Sequence, residues 1–368
     1  MEVKHYDLMI VGNGFDLNCG LKTRYVDFLA SLKSGNKSFL ESYFSTLNTR
    51  NLLNSMNWCS LEEALGQLLT FIHILLNKKE FLISKQEYGV FIIQIQVKDI
   101  IPCAFDDFRK TLSCVYYPSF INILLNGINL PDYHYNLEEA KTIQVIFKTT
   151  DVKSRLFIQD LKDYIFEYLR KDLERLENDF CYYLSKNISL EVKTQYECKN
   201  NISFKADRIL NFNYTSTCRY ISSNIQYVHG SLEDKNIVIG VDENMNQSLK
   251  ELSTNYEYLP FFKRTQGMLN GCNKNYSSFI GGLQSNNRVA IFGHSLDTSD
   301  SSILYNILNK DFIFDIYYFS PIKDQNHNFK KKTYLDLNLL LGTDLLEVLY
   351  NTNRINLIEI NTGKINYI

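Results

Sequence analysis

The sequence predicts an α/β fold, a parallel sheet whose strands alternate with helices, interrupted by a large helical insertion. Three observations support this prediction. The chain opens with an apolar run, a glycine turn and a helical segment; residues 37–199 are poor in glycine and proline and show helical periodicity; and short apolar runs alternate with loops and helices after about residue 205. Continuous apolar runs indicate strands buried on both faces, and their alternation with helices is typical of parallel sheets.

The individual elements follow from the same patterns. Residues 6–11 form the first predicted strand, and helical pieces follow at 15–17 and 25–29. Residues 60–63 have the spacing of a capping box, which predicts a helix start. Apolar residues at three- and four-residue steps predict one long helix or a broken pair over residues 155–187. The later predictions are strands at residues 208–212, 225–228, 237–239, 288–292, 312–319 and 355–360, a helix after Asp297 and another over residues 334–350.

The domain organisation follows from this change of character along the chain. With 368 residues the chain exceeds one average domain. We expect residues 1–36 and 200–368 to form one sheet domain, and residues 37–199 to form a mainly helical subdomain inserted into it.

Composition limits the classes of function. Lys and Arg number 39 against 41 Asp and Glu, so the net charge of -2 gives no basic footprint for nucleic acid or for a membrane surface. The 8 cysteines form no Cys-x-x-Cys pair, so we expect no metal site, and dispersed cysteines are typical of reduced thiols in a cytoplasmic protein. No apolar run approaches the ~18 residues of a membrane span.

The first candidate binding segment follows the first predicted strand and contains Gly12, Asn13, Gly14, Phe15 and Asp16. Glycines between a strand and a helix let the backbone approach a phosphate, and the helix start favours its negative charge. The third glycine of the dinucleotide fingerprint is absent. A plain tight turn is therefore an equally good interpretation.

The second and third candidate segments follow two later strands. Asn213, Tyr214 and Thr215 offer amide and hydroxyl groups where open α/β sheets bind ligands, although an Asx turn with a helix cap explains them as well. His229 precedes Gly230. The ordinary pKa of a histidine lies near neutral, which suits a general base. A histidine that only bonds a neighbouring loop is the commoner case.

The fourth candidate segment follows the predicted strand at residues 288–292. Gly293 permits close approach of a ligand, and Ser295, His294 or Asp300 can contact ribose or phosphate. A helix cap without a ligand explains the segment equally well. The segment is not a nucleophile elbow, because the second glycine of that motif is missing.

The order of these motifs resembles the AbiH family, which is named after a bacteriophage abortive-infection protein. The matching stretches are residues 10–28, 58–62, 212–215, 229–230 and 293–300, and they span nearly the whole chain. The resemblance implies an antiphage role, with a phage-derived trigger or a homo-oligomer as the expected partners.

The same motifs are similar, more distantly, to the sirtuin-like NAD-binding fold, a Rossmann-type parallel sheet. That resemblance implies that Asn213 and His229 are catalytic. It also implies a nucleotide ligand, NAD, bound as cofactor or substrate, with Gly12, Gly14 and Phe15 in the pyrophosphate loop and Gly293 and Ser295 in the later nucleotide-contacting turn. The further candidate binding residues are Asn13, Asp16, Tyr214, Thr215, His294 and Asp300, although Thr215 stands where the sirtuin-like pattern has an aspartate. Asn13 stands where sirtuins have alanine, Lys22 where they have proline, and the paired cysteines of deacetylating sirtuins are absent. The resemblance therefore favours NAD hydrolysis over deacetylation.

Three functions compete at this point. The first is an NAD(P) glycohydrolase that cuts the nicotinamide–ribose bond, and the second is a sensor that binds NAD or ADP-ribose without hydrolysis. The third is a nucleic-acid-directed toxin with Asp16, Glu62 or Glu63, and Asp300 as carboxylates, which the lack of basic excess disfavours. A local basic run at residues 330–332 is more typical of a solvated loop.

Two further polar residues, Lys263 and Gln266, lie in a predicted helical stretch. Either side chain is long enough to reach a phosphate. The pattern favours a solvated helix face for both of them, and it favours a helix-face or capping role for Glu62 and Glu63.

Overall fold

The structure is a computed structural model that describes residues 3–32, 37–38, 40–41, 44–45, 59–77, 82–87, 90–96, 142–148, 158–191, 203–272, 276–321 and 329–362. In chain order the described strands and helices are β1 (Val3–Val11), α1 (Asn13–Asn18), α2 (Tyr25–Ser31), α3 (Cys59–Asn77), β2 (Leu82–Glu87), β3 (Val90–Gln96), β4 (Thr142–Lys148), α4 (Ile158–Glu191), β5 (Ser203–Asn211), β6 (Ile225–Tyr227), α5 (Gln247–Leu252), α6 (Lys263–Leu269), α7 (Tyr276–Gly281), β7 (Arg288–Phe292), α8 (Ser301–Leu308), β8 (Ile313–Pro321), α9 (Phe329–Leu341), α10 (Thr343–Asn351) and β9 (Ile355–Thr362). Short 3₁₀ turns lie at Thr217–Tyr220, Tyr256–Phe261 and Thr298–Asp300.

Six parallel strands form the main sheet in the order β6-β5-β1-β7-β8-β9. From β1 the chain moves outward on one side through β5 and β6, and it then returns to the other side of β1 with β7. The direction of winding therefore reverses between β1 and β7. In open parallel sheets, ligands bind at the carboxyl ends of the strands at such a reversal.

Strand β1 lies in the middle of this sheet, which explains its continuous apolar sequence. Leu8 and Ile10 pack into the core on one face, and Met9 and Val11 pack into the core on the other face. All four side chains are fully buried. The predictions of a parallel sheet and of a buried first strand at residues 6–11 are confirmed, as are the strands predicted near β5 to β9.

The strand predicted at residues 237–239 is wrong, since this described segment forms no strand. Its backbone bonds to side chains and to the carbonyl of His229 instead of to a neighbouring strand. The Tyr214 hydroxyl donates to the carbonyl of Val238, the Gln266 amide donates to the carbonyl of Ile239, and the Glu177 carboxylate accepts the Ile239 N–H. An apolar run indicates that a segment is buried, but burial alone does not distinguish a strand from a loop whose backbone is hydrogen-bonded by side chains.

The helix predicted over residues 334–350 is divided into α9 and α10 at Gly342. This glycine has a φ of 77°, a backbone conformation that residues with a Cβ atom rarely adopt. The apolar pattern continues across the break because both helices pack on the same core, through Leu340 and Leu341 from α9 and Leu346 and Leu349 from α10.

The region between α2 and β5 contains more than helices. Its two predicted helices are present, and the second, α4, is one continuous helix rather than a broken pair. The described residues also include an antiparallel sheet in the order β2-β3-β4, which the sequence analysis did not predict. Residues 97–141 lie outside the described part of the chain, and the domain boundaries at residues 36 and 200 stay a prediction.

Helix α4 joins this region to the main sheet through Phe180, which is fully buried. The Phe180 ring centroid lies 4.7 Å from that of Tyr25, 5.1 Å from that of Phe28 and 6.0 Å from that of Tyr214. Tyr25 and Phe28 belong to α2, and Tyr214 follows β5. One aromatic side chain therefore connects three elements.

None of the described helices is both long and apolar enough to cross a membrane.

We expect Phe180→Ala to lower the free energy of unfolding by about 3–5 kcal/mol, because it empties the centre of this aromatic cluster. Tyr182 lies on the same helix and is 70% exposed, so Tyr182→Ala is the matched control and should change the free energy by no more than about 0.5 kcal/mol. Urea titration followed by circular dichroism measures both. Equal effects of the two substitutions would show that α4 does not depend on this cluster.

Candidate functional site at the carboxyl edge of the sheet

Four loops meet at the carboxyl edge of the main sheet. They are the β1 loop (residues 12–16, Gly12 with the first turn of α1), the β5 loop (residues 212–217), the β6 loop (residues 228–231) and the β7 loop (residues 293–300, which end in a 3₁₀ turn). Strands β6, β5, β1 and β7 are neighbours and parallel, so their carboxyl ends share one edge. The candidate segments of the sequence analysis are these four loops, and the fold brings all of them together.

The β1 and β7 loops are in direct backbone contact. The N–H of Gly14 donates to the carbonyl of Gly293 over 2.7 Å, and the N–H of Gly12 donates to the carbonyl of Phe292 over 3.0 Å. A Cβ atom on Gly12 would lie 2.6 Å from the Cα of His294, and one on Gly14 would lie 2.8 Å from the Cα of Gly293. The glycines are thus required for the approach of one loop to the other, and both N–H groups are already used within the protein.

The other residues of the β1 loop are held by their neighbours. The Phe15 ring is fully buried and lies 5.6 Å from the Phe292 ring. The Asn13 side-chain carbonyl accepts a hydrogen bond from the Thr23 hydroxyl over 2.6 Å. The side chain of Phe15 thus belongs to the core, and Asn13 binds the loop that leads to α2.

The β5 loop forms the Asx turn that was the alternative interpretation of its sequence. The Asn211 side chain accepts the N–H of Asn213 over 3.0 Å and donates to the carbonyl of Thr215 over 2.8 Å. This turn aims the Asn213 amide at the β1 loop, where Nδ2 donates to the carbonyl of Gly12 over 3.0 Å. Asn213 is 5% exposed, and its Oδ1 makes no hydrogen bond to any described residue.

Asp16 is the buried acid of the β1 loop, with 1% of its surface exposed. Its carboxylate accepts hydrogen bonds from the hydroxyls of Thr215, over 2.7 Å, and of Thr217. Burial raises the pKa of Asp16 to about 6, although the two hydroxyls oppose this rise. Asp16 therefore connects the β1 and β5 loops.

The first part of the β7 loop is a tight turn. The ring nitrogen Nδ1 of His294 accepts the N–H of Leu296 over 3.0 Å, and the Asp297 carboxylate accepts the N–H of Ser299. Leu296 has a φ of 60° and is buried. Ser295 is exposed and its hydroxyl donates to Asp297. Asp297 thus caps the 3₁₀ turn at Thr298–Asp300, whereas the N-cap of α8 is Asp300, whose side chain makes no capping hydrogen bond.

Asp300, at the end of the β7 loop, is the centre of a buried charged cluster. Its Oδ1 lies 2.8 Å from Nε2 of His229 and 2.8 Å from Nζ of Lys263, and its Oδ2 lies 3.4 Å from Nε2 of His294. Lys263 Nζ also lies 2.8 Å from Oε2 of Glu62 on α3. The side chains of all five residues are nearly buried, at 11% exposure or less. We name these five residues the Asp300 cluster.

Electrostatics keep Asp300 ionised. Burial alone would raise the pKa of its carboxyl, but the charge of Lys263 and the rings of His229 and His294 hold it well below its usual range. Burial lowers the pKa of His229, an effect that Asp300 opposes and Lys263 strengthens. Burial also raises the pKa of Glu62 to about 8, against the attraction of Lys263.

These charges determine which nitrogen of His229 carries the proton. An ionised carboxylate only accepts hydrogen bonds, so the Nε2 that faces Asp300 is the donor. The neutral ring then has its lone pair on Nδ1, which is buried and has no hydrogen-bond partner among the described residues. A neutral imidazole held by a carboxylate, with its second nitrogen free, is the arrangement of a general base.

Sequence reasoning did not identify Lys263 as part of this site. Lys263 and Gln266 were expected on a solvated helix face, but both are 7% exposed. Lys263 binds two carboxylates, and Gln266 binds the carbonyls of Ile239 and Pro260. No local pattern indicates such burial in a short helix. For Glu62 a signal existed, because it lies within the stretch 58–62 that resembles the family.

The carboxylates of the predicted toxin site do not form one group. Asp16 binds hydroxyls of the β5 loop, whereas Glu62 and Asp300 share Lys263. Within the described part of the chain no three His, Cys, Asp or Glu residues are placed to hold a metal ion together.

We expect Gly293→Ala to destabilise the protein more than Gly342→Ala. Both glycines have a positive φ, 70° and 77°, so both substitutions add about 1–3 kcal/mol of backbone strain. A Cβ atom on Gly293 would also lie 2.3 Å from the backbone nitrogen of Phe15. A Cβ atom on Gly342 would meet no neighbouring atom within 4 Å. The difference in the free energy of unfolding should therefore be about 1–3 kcal/mol. Equal losses in the free energy of unfolding for the two substitutions would show that the β1 and β7 loops can move apart at Gly293 without further loss of stability.

The buried carboxyl of Asp16 predicts a pH-dependent stability. Its pKa is raised from 3.8 to about 6 in the folded protein, so its contribution is most favourable below pH 4 and is lost as the pH rises through 6. The free energy of unfolding relative to that of Asp16→Asn should fall by about 3 kcal/mol between pH 4 and pH 7. Glu347→Gln, at an exposed position, is the control and should show no such trend. A flat difference for Asp16→Asn would contradict the burial of this charge.

The comparison with known proteins gives the family. Among curated proteins, none matches the chain significantly. The family model described as bacteriophage abortive infection AbiH matches residues 8–313, a range that contains all four loops and the Asp300 cluster. Because this match covers well over half of the sequence, the chain belongs to the AbiH family.

Proposed function

We propose that the protein acts in abortive infection and that it hydrolyses NAD(P) at the nicotinamide–ribose bond. The family supports the antiphage role. The observation that carries the enzymatic part is the buried His229, whose Nε2 is bound by Asp300 and whose Nδ1 has no partner among the described residues.

The position of this histidine supports a nucleotide ligand. The six parallel strands, numbered by their order in the chain, follow the sequence 3-2-1-4-5-6, which is the order of dinucleotide-binding Rossmann sheets. The β1 and β7 loops lie at the reversal in that order, and the Asp300 cluster adjoins them. This agrees with the sirtuin-like resemblance of the sequence motifs, from which the choice of NAD comes.

The residues of the site suit the hydrolysis of an N-glycosidic bond. Nicotinamide leaves as a neutral ring with the electron pair of the broken bond, so a strong general acid is not required. Water forms the new bond to the ribose carbon, and Nδ1 of His229 takes the proton that water loses. Oδ1 of Asn213 makes no hydrogen bond to a described residue and can orient the water or a ribose hydroxyl.

The central test is His229→Gln. A glutamine amide can still donate to Asp300, but it has no basic nitrogen, so the release of nicotinamide from NAD should fall at least about 100-fold. His5→Gln is the matched control, since the His5 side chain is 58% exposed and lies at the other end of β1. Chromatography of NAD incubated with each purified protein measures the rate, and infected cells report the loss of phage protection.

Two results would contradict the proposal. One is a His229→Gln protein that consumes NAD at the normal rate. The other is an unmodified protein that protects cells against phage and binds NAD without releasing nicotinamide, which would favour a sensor instead.

A further inference from the structure

We propose that Lys263 is a positioning residue for His229. It offsets the charge of Asp300, so that Asp300 orients the ring without stabilising its protonated form, and Glu62 holds Lys263 in place. The proposal deepens the proposed function, on which it rests for the role of His229 as a base. The residues concerned are buried and contact one another in turn: Glu62 on α3, Lys263 on α6, Asp300 at the end of the β7 loop and His229 in the β6 loop.

The geometry of Lys263 supports a fixed position. A lysine ammonium has three N–H donors. Lys263 has three acceptors at hydrogen-bond distance, with Nζ 2.8 Å from Asp300, 2.8 Å from Glu62 and 2.9 Å from the carbonyl of Ser299. Its side chain is 8% exposed. The contacts with Asp300 and Ser299 are hydrogen bonds and the contact with Glu62 is an ion pair, so the ammonium is held on three sides by groups of the protein itself.

The charge of Lys263 acts on the same oxygen as His229. Both Nζ of Lys263 and Nε2 of His229 lie 2.8 Å from Oδ1 of Asp300. A carboxylate beside a histidine favours the charged imidazolium, whereas a neighbouring cation disfavours it. With Lys263 present the two effects oppose each other and burial favours the neutral ring, which keeps the Nδ1 lone pair available.

Glu62 gives the lysine its second anchor. It belongs to α3, outside the main sheet, and its side chain is 4% exposed. A second polar partner, on an element other than the one that carries Asp300, restricts the movement of the ammonium group. Glu62 is thus expected to act on the position of Lys263 and only weakly on the charge of His229.

Nitrogen NMR of histidine-labelled protein tests the proposal without reference to activity. The chemical shifts of the two ring nitrogens show which one carries the proton, and a pH titration shows when the ring becomes charged. The chain has 6 histidines, and the His229 signals are those missing from His229→Gln. In the unmodified protein at pH 7 we expect a neutral ring with the proton on Nε2.

Two variants remove the lysine charge. Lys263→Met alone leaves Glu62 buried without its cation, so the paired variant Glu62→Gln with Lys263→Met is made to preserve folding. In either one, His229 should bind its second proton at least about tenfold more tightly, which raises its pKa by about 1 or more. Glu62→Gln alone retains the lysine, so His229 should stay neutral at pH 7.

Lys250→Met is the matched control, because Lys250 is exposed on α5, and it should leave the His229 titration unchanged. An unchanged titration in the folded paired variant overturns the proposal, and so does a neutral ring with its proton on Nδ1 in the unmodified protein. The unchanged titration leaves the hydrolase proposal to its own test, whereas a proton on Nδ1 would also remove the base from that proposal. Conversely, a protein that never cleaves NAD but shows the expected shifts would refute the hydrolase and keep the assignment of Lys263.

Discussion

The contact between the β1 and β7 loops determines the geometry of the candidate site. The hydrogen bond from the Gly14 N–H to the Gly293 carbonyl lies where the sheet reverses its direction of winding. Close approach of two backbones fixes the path of the chain after β7, and with it the positions of His294 and Asp300. The charged cluster is therefore built on a contact that glycine alone permits at both loops.

Sequence patterns predicted the parts of the molecule that depend on local chemistry. Apolar runs indicated the strands of the sheet, and glycines and His229 marked the ends of those strands. The patterns did not predict the environment of Lys263, because its partners Glu62 and Asp300 are distant in sequence. The same limit explains residues 237–239, whose backbone partners are the His229 carbonyl and side chains from other segments.

The Asp300 cluster combines several charges in a place with little solvent. Each buried charge is unfavourable unless an opposite charge and hydrogen bonds compensate it. Lys263 meets two carboxylates, and Asp300 meets a lysine and two histidines. Such an arrangement contributes little net stability compared with apolar side chains of the same volume. Its benefit is a defined orientation of His229.

The central place of β1 has a consequence for the synthesis of the protein. β1 leaves the ribosome long before its neighbours, since Val3 pairs with Ser203 and Leu8 with Val289. At ~5–20 residues per second, the ribosome needs about 10–40 s to reach β5. During that interval the apolar faces and both edges of β1 have no partner strand. The nascent chain therefore exposes an apolar segment during this interval, and the site can assemble only late in translation.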